Sequence, residues 1–304
     1  MFNKNNLYMG LVFLISLFVL FTGCDKKEQR DVVQNEEKIV KKDTLNITIG
    51  AIITPKGGFV YYRHLLNYLG KKIGKKIKLV DKQSYSETNK MFKNGEADAG
   101  FVCSGPYVEG AKEFGLELLV VPQVYGKTTY NSYILVHKNS DINTFEDLRG
   151  KTFAFTDPMS NTGQEVPTYM LAKMGETPES FFKKYIYTHG HDKSIWAVVE
   201  NVVDGVAVDS LVWEYMNIKE PQYTSETKII VKSEPYSIPP FVVRKGLDKK
   251  TKKAIKNVLL SMHKDKKGKK ILKQMMIDCF VETHDKNYDS VREMKKIIKN
   301  ISKK

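Results

Sequence analysis

Three short polar runs hold the residue types that could do chemistry in this chain. Phe153-Ala-Phe-Thr-Asp-Pro-Met-Ser-Asn-Thr-Gly163 reads as a buried strand entering a turn of small hydroxyl and amide side chains, with an amphipathic helix after it. Such a turn grips an anion without a metal. The next segment's first N–H groups have no partner inside the helix, and the helix dipole presents its positive end there. His189-Gly-His-Asp192 and Val208-Asp-Ser210 follow at strand ends, the edge at which open α/β sheets place ligand groups. The three runs predict one converging site for a phosphate-like oxyanion.

Catalysis finds less support. The chain has no Gly-x-Ser-x-Gly elbow, no His-Glu-x-x-His and no Walker loop. Ser160, His191 and Asp209 supply the residue types of a hydrolytic triad, but a triad needs its base oriented against the nucleophile, which sequence does not show. Apart from Cys24, only Cys103 and Cys279 remain. There is no disulfide framework and no metal-spaced motif, and whether these two cysteines pair stays open. The expectation is a binding protein rather than an enzyme, without cofactor or metal.

The elements that must position those residues are bounded by the chain's ends. Lys4 precedes an almost wholly apolar run from Leu11 to Phe21, closed by Thr22-Gly23-Cys24. About eleven apolar residues are too few to span a bilayer comfortably, and small residues ahead of a cysteine make a processing site, so 1–23 reads as a signal peptide. The spacing resembles a bacterial lipobox, with Cys24 lipidated as the new first residue and Phe21 in place of the usual leucine. Residues 24–44 are charged and poor in aromatics, which predicts a solvated tether. The net charge of +14 is uneven, since from Arg244 to Lys304 there are 20 Lys and Arg against 7 Asp and Glu. No aromatics interleave with these lysines as a single-strand binder needs, which argues against nucleic acid. A solvated surface, attraction to an anionic membrane, or steering of anions are the readings left.

About 260 folded residues exceed what one small core usually holds, and their pattern divides in two. Leu45 to Ala51, Lys76 to Val80, Ala97 to Cys103 and Leu116 to Val121 read as strands, alternating with helices that begin after Pro55-Lys-Gly-Gly58, near Glu87 and at Tyr107. Thr129 to His137 reads as a long crossing strand and Asp141 to Gly150 as a short capped helix. A second set follows, with strands at Thr152 to Phe155, Tyr185 to Thr188, Val206 to Val208 and Lys228 to Lys232, and helices at Gln164 to Met174, Pro178 to Lys184 and Ser194 to Val203. Pro235 to Arg244 is the return crossing. Strands alternating with short helices predict an α/β fold of two lobes, each a mainly parallel sheet flanked by helices, joined by two crossing segments. Residues 45–133 and 238–304 form lobe 1 in this reading and 134–237 form lobe 2, with the Lys-rich C-terminal helices packed back on lobe 1.

Phe155 to Gly163, His191-Asp192 and Val208-Asp209-Ser210 together resemble the phosphate, phosphite and phosphonate-binding proteins of ABC transporters, a family with the type II periplasmic binding fold. The likeness runs from about Leu45 to Phe280, and Asp141 to Gly150 and Thr177-Pro-Glu-Ser-Phe-Phe182 share in it. It implies oxyanion contacts from Ser160, Asn161 and Thr162, whose hydroxyls and backbone N–H groups donate, with plain helix capping as the competing role. It implies a contact from His191, which donates whether neutral or charged; a surface loop position is the alternative, and His189 is not assigned. Asp209 accepts only, so it favours a protonated P–OH or an amine and repels a fully deprotonated anion; helix capping competes here too. Tyr85 matches the family's first-lobe tyrosine. Around Cys103-Ser-Gly-Pro-Tyr107 the sequence departs from members with an aromatic group, leaving Ser104 and Tyr107 as candidates. Cys103 reads either as a soft ligand for an arsenite-like species or as a buried strand end. The implied function is a monomeric, lipid-anchored solute-binding protein on the outer face of the cytoplasmic membrane. It would capture a small phosphorus oxyanion and pass it to an ABC permease and its ATPase. The alternative is a sensory lipoprotein of the same fold that presents a phosphorus or arsenic oxyanion to a membrane histidine kinase.

Overall fold

The computed structural model describes residues 44–50 and 56–301. The signal segment, Cys24 and the tether up to residue 43 lie outside the described residues, as do Ala51 and the turn residue Pro55. Residues 43–304 form one compact unit that contains every sheet and core cluster.

The first sheet uses β1 (Thr44–Ile49), β2 (Lys76–Leu79), β3 (Ala99–Phe101), β4 (Glu117–Gln123), β12 (Phe241–Val243) and β13 (Cys279–Val281), in the spatial order β13-β4-β12-β3-β1-β2. The crossover helices α1 (Lys56–Ile73), α2 (Tyr85–Lys93) and α3 (Ser104–Phe114) return the chain to the same edge, so β1 pairs in parallel with β2 and β3. β12 and β13 run antiparallel to their neighbours, because they come from the returning chain rather than through such a crossover. Ile47, Leu65, Leu69, Phe101, Phe241 and Phe280 form its core, with the Phe101 and Phe241 rings edge to face at 4.9 Å.

The second sheet has the order β10-β6-β9-β7-β8, from β6 (Ser132–His137), β7 (Thr152–Phe155), β8 (Lys184–Tyr187), β9 (Gly205–Asp209) and β10 (Thr227–Lys232). β7, β8 and β9 are parallel, so their C-terminal ends share one edge. From that edge spring α4 (Val166–Lys173), α6 (His191–Val199) and α7 (Ser210–Lys219), while α5 (Pro178–Phe181) and α8 (Pro221–Thr224) are single turns. Between the sheets, β5 (Thr129–Tyr130) pairs with β11 (Tyr236–Ser237), so the two crossing segments form a small antiparallel ribbon.

Both sheets are mixed rather than mainly parallel, because the crossing and returning strands pair antiparallel, and three local expectations change. The strand expected to run unbroken from Thr129 to His137 breaks at Asn131, whose N–H goes to Ser210 Oγ (3.0 Å) and whose amide goes to the Ser233 carbonyl (2.7 Å). The helix expected at Asp141 to Gly150 shrinks to a 3₁₀ turn, Glu146–Leu148, because Asp147 takes the N–H groups of Asn143 and Thr144. Of the C-terminal helices, α9 (Lys249–Ser261) and α10 (Lys266–Gln274) pack on α1 as expected. The last, α11 (Asp289–Ile301), lies against both α3 and α4, and Val291 and Met294 share one core cluster with Val108 and Val166.

Aromatic packing dominates beneath the second sheet. Phe182 stacks on Phe153 at 4.4 Å and meets Phe145, Phe155 and Phe181 edge-on. Phe182→Ala should therefore lower unfolding stability by about 3–5 kcal/mol, the range for emptying a buried phenylalanine site. A urea midpoint equal to that of the wild type would show that this cluster is not a packing centre.

Candidate functional site

The turn after β7 is held by its own side chains. Asp157 Oδ1 accepts the Met159 N–H at 2.8 Å, and Ser160 Oγ accepts the Gly163 N–H at 3.0 Å. The chain then makes a π turn, Asn161–Glu165, where an α-helix starting at Gln164 was expected. Pro167 explains the detour. It has no N–H for the Gly163 carbonyl four residues back, and that carbonyl instead accepts from Thr156 N at 3.1 Å. The Thr162 carbonyl accepts from Ser132 Oγ at 2.6 Å. Gly163 is needed because a Cβ there would lie 2.5 Å from Thr156 Oγ1. Single π turns inside helices occur often at functional sites, and this one leaves Thr162 Oγ1 buried with no partner among the described residues.

His191 opens α6, and its Nδ1 accepts the Asp209 N–H at 3.0 Å. Thr156 Oγ1 lies 3.1 Å from the same nitrogen and itself donates to the Ala207 carbonyl. A backbone N–H can only donate, so Nδ1 is unprotonated and the neutral ring carries its proton on Nε2. Nε2 is buried with no partner among the described residues. Burial pushes the imidazole pKa down to about 3, so the donor is neutral at physiological pH. His189 points elsewhere: it has φ +55, is half exposed, and sits 3.7 Å from Asp157.

Asp209 ends β9 and serves as N-cap of α7, accepting the Leu211 N–H at 2.7 Å. Burial raises its carboxyl to about 7, against the pull of the Leu211 and Val212 N–H groups. Its charge adds to the burial that raises Tyr62, Tyr85, Tyr130 and Cys103. The Tyr85 hydroxyl bonds the Ser160 side chain, and the Tyr85 N–H reaches Asp157 Oδ2 at 3.2 Å. Asn161 Nδ2 donates to the Tyr130 hydroxyl at 3.1 Å, which donates to Ser104 Oγ at 3.2 Å, which donates to the Ser237 carbonyl at 2.7 Å. Ser104 is thus committed to the ribbon between the sheets.

Cys103 is a buried free thiol pushed up to about 11 by desolvation, with the N–H groups of Asn161 and Gly105 directed at its sulfur. A metalloid ligand needs the thiolate, and this environment opposes it. Cys279 is also free, so the two cysteines do not pair. The structure does not bring Tyr107 to this space. Its hydroxyl donates to Asp285 at 2.6 Å and its ring packs on Tyr288 at 4.6 Å.

Tyr130, Thr156 and Asp157 contact the candidate residues without having been singled out, and Tyr62 is buried within reach of the Asp209 charge. Thr156 and Asp157 stand inside the run quoted first and were legible there; Tyr62, on the buried face of α1, carries no local signal. No group of His, Cys, Asp and Glu among the described residues could hold a metal ion.

Two α/β lobes linked by a paired ribbon, closed over a buried polar site rich in neutral donors, are the build of a type II periplasmic binding protein. Residues 59–288 match the family model of the ABC transporter phosphonate periplasmic substrate-binding protein. The chain belongs to that family. It is 28% identical over 173 residues to the phosphonates-binding periplasmic protein of Escherichia coli, aligning 56% of this chain with 51% of that one. It is 30% identical over 187 residues to a phosphate-import protein of Mycolicibacterium smegmatis, with 57% of each chain aligned. The chain therefore spans little more than half the length of these curated relatives. Among solved structures, the binding component of a Pseudomonas aeruginosa ABC phosphonate transporter superposes with TM-score 0.81 at 20% identity, covering 85% of this chain and 87% of that one. A Prochlorococcus marinus PhnD1 structure in complex with methylphosphonate gives 0.76 at 20% identity, covering 84% and 97%. At that identity the superpositions establish the fold.

The two buried titratable groups pull stability in opposite directions with pH. His191 is depressed, so its contribution is present above its unfolded pKa near 6.5 and is lost as pH falls toward about 3. Asp209 is raised, so its contribution is present below its unfolded pKa near 3.8 and is lost as pH rises through about 7. Between roughly pH 4.5 and 6 the two slopes cancel in the wild type. His191→Gln should make unfolding free energy fall as pH rises across that window, and Asp209→Asn should make it rise, each by up to about 1.4 kcal/mol per pH unit. Denaturant titrations at pH 4.5 and 6 read both slopes, and wild-type slopes in both variants would place neither group in a buried site.

Proposed function

We propose that this chain is the solute-binding component of an ABC importer, closing its lobes on a small phosphorus oxyanion and handing it to a permease driven by an ATPase. The supporting observation is the pair of buried donors without partners, Thr162 Oγ1 and His191 Nε2, on adjoining strand ends beside Asp209. A buried donor left unpaired costs about 1–3 kcal/mol, a cost that an oxyanion removes on binding. Asp209, poised near neutrality, accepts from a P–OH when ionised and donates when protonated, so it suits an anion that itself carries a proton. Ser160, Asn161 and Tyr85 complete the wall, and the mechanism is capture and hinge closure without bond-making. The Mycolicibacterium smegmatis relative is named a phosphate-import protein and the Pseudomonas aeruginosa structure a component of an ABC phosphonate transporter, which favours import over the sensory alternative.

Attachment through lipid on Cys24 would place the protein on the outer face of the cytoplasmic membrane. No helix among the described residues is long and apolar enough to cross a membrane.

Calorimetric titration of unit 43–304 with methylphosphonate, phosphite, phosphate and sulfate tests the reading. At least one phosphorus oxyanion should bind, and sulfate, which carries no proton near neutrality, should bind least. Thr162→Val should weaken binding at least tenfold, since a hydrogen bond to a charged group is worth about 1.5–3 kcal/mol. The same change should leave the unliganded protein equally stable or more so, because it removes an unpaired hydroxyl. If no phosphorus oxyanion binds at millimolar concentration, the reading fails.

The anchor is tested separately. Cys24→Ser should abolish fatty-acid labelling and release the protein from the membrane fraction. A wild type without label would remove lipid from the account while leaving the binding site intact.

A further inference from the structure

Five lysines line one groove of about 750 Å³ on the lobe built from the first sheet. Lys71 stands at the end of α1, Lys75 and Lys76 lead into β2, and Lys267 and Lys270 stand on α10, with His64 at the rim. No aspartate or glutamate lines it. Lys71, Lys76, Lys267 and Lys270 are exposed and join no ion pair among the described residues, whereas neighbouring Lys72 is paired with Asp265 at 3.0 Å. Four like charges left uncompensated around one concavity repel one another and draw in a polyanion.

The chain's entry into the fold says which polyanion is near. Thr44, the first residue of β1, is the register partner of Lys76, so the N-terminal segment joins the fold at the edge of this groove. Nineteen residues separate it from Cys24. Such a segment spans about 70 Å at full stretch and roughly 25 Å as a coil. The groove also lies at the N-terminal edge of the parallel strands, whereas the ligand-site residues stand at C-terminal ends.

We propose that this groove docks the protein on the anionic headgroups of the membrane to which it is tethered. The proposal takes from the anchor reading only which surface lies close, and it is tested without the anchor. Unit 43–304, which holds every sheet and core of the fold, is co-sedimented with vesicles of phosphatidylglycerol and phosphatidylcholine, and with vesicles of phosphatidylcholine alone. It should bind the first and not the second, and binding should fall steeply between 50 and 300 mM salt. The triple variant Lys76→Ala, Lys267→Ala, Lys270→Ala should lose about a hundredfold, since each lysine near an anionic surface contributes about fivefold. The control triple Lys183→Ala, Lys184→Ala, Lys219→Ala, on the other lobe, should bind as the wild type does. Equal losses in both triples would make the attraction one of net charge and overturn the assignment. Failure to bind anionic vesicles, with or without capture of polyglutamate as a mimic of an acidic protein, would overturn it as well.

Discussion

The hydrogen bond from the Asp209 N–H to His191 Nδ1 organises the site. It joins the end of β9 to the start of α6 and decides where the imidazole proton sits. A ring protonated on Nδ1 would face the backbone with a second donor, clash with the Asp209 N–H and present a lone pair to the ligand space. With the bond made, a donor faces that space instead. Thr156 Oγ1, just beyond β7, packs 3.1 Å from the same nitrogen while donating to the Ala207 carbonyl, so groups from neighbouring strand ends surround one ring. Preorganisation of this kind lowers what binding must spend on ordering the site.

The lobes meet through contacts that depend on close approach. Asp157 reaches across to the first N–H of α2, Asn161 to the Tyr130 hydroxyl, and Glu165 pairs with Lys295 of α11. Lys295 also lies 3.4 Å from Glu109 on α3, so one ammonium is shared between an acid of each lobe. Gly105 makes the approach possible, since a Cβ there would stand 2.4 Å from the Met159 carbonyl of the facing turn. Gly105 within Cys103-Ser-Gly-Pro-Tyr107 thus gives the backbone clearance needed where two main chains nearly touch.

Much of this was legible in sequence because it depends on local chemistry. β7 is read to the residue from its Phe-Ala-Phe core and flanking turn, and the hydroxyl-rich loop, His191 and Asp209 sit at strand ends as the alternation requires. What could not be read depends on distant partners. The π turn follows from Pro167 only once Thr156 and Ser132 are available to take the released carbonyls. The family resemblance leaves Tyr107 and Ser104 as equal candidates, and Asp285 and Ser237, more than a hundred residues away, decide where both point. The bridging position of α11 was hidden for the same reason. Its amphipathic stripe shows that one face is buried but not against which lobe.

The distribution of charge completes the argument. Of the site residues described, none is lysine or arginine, although the chain carries a net charge of +14. The candidate site groups are instead hydroxyls, amides, a neutral imidazole, a carboxyl and backbone N–H groups. A buried arginine would hold an anion strongly but would itself have to be desolvated and paired when the cleft is empty. Neutral dipoles avoid that cost, and in a water-poor site they still hold an anion well once the lobes close. They also let go when closure is reversed and water returns. Under the proposed function, a protein that must release what it captures is better served by fixed neutral donors and one titratable carboxyl than by a permanent countercharge.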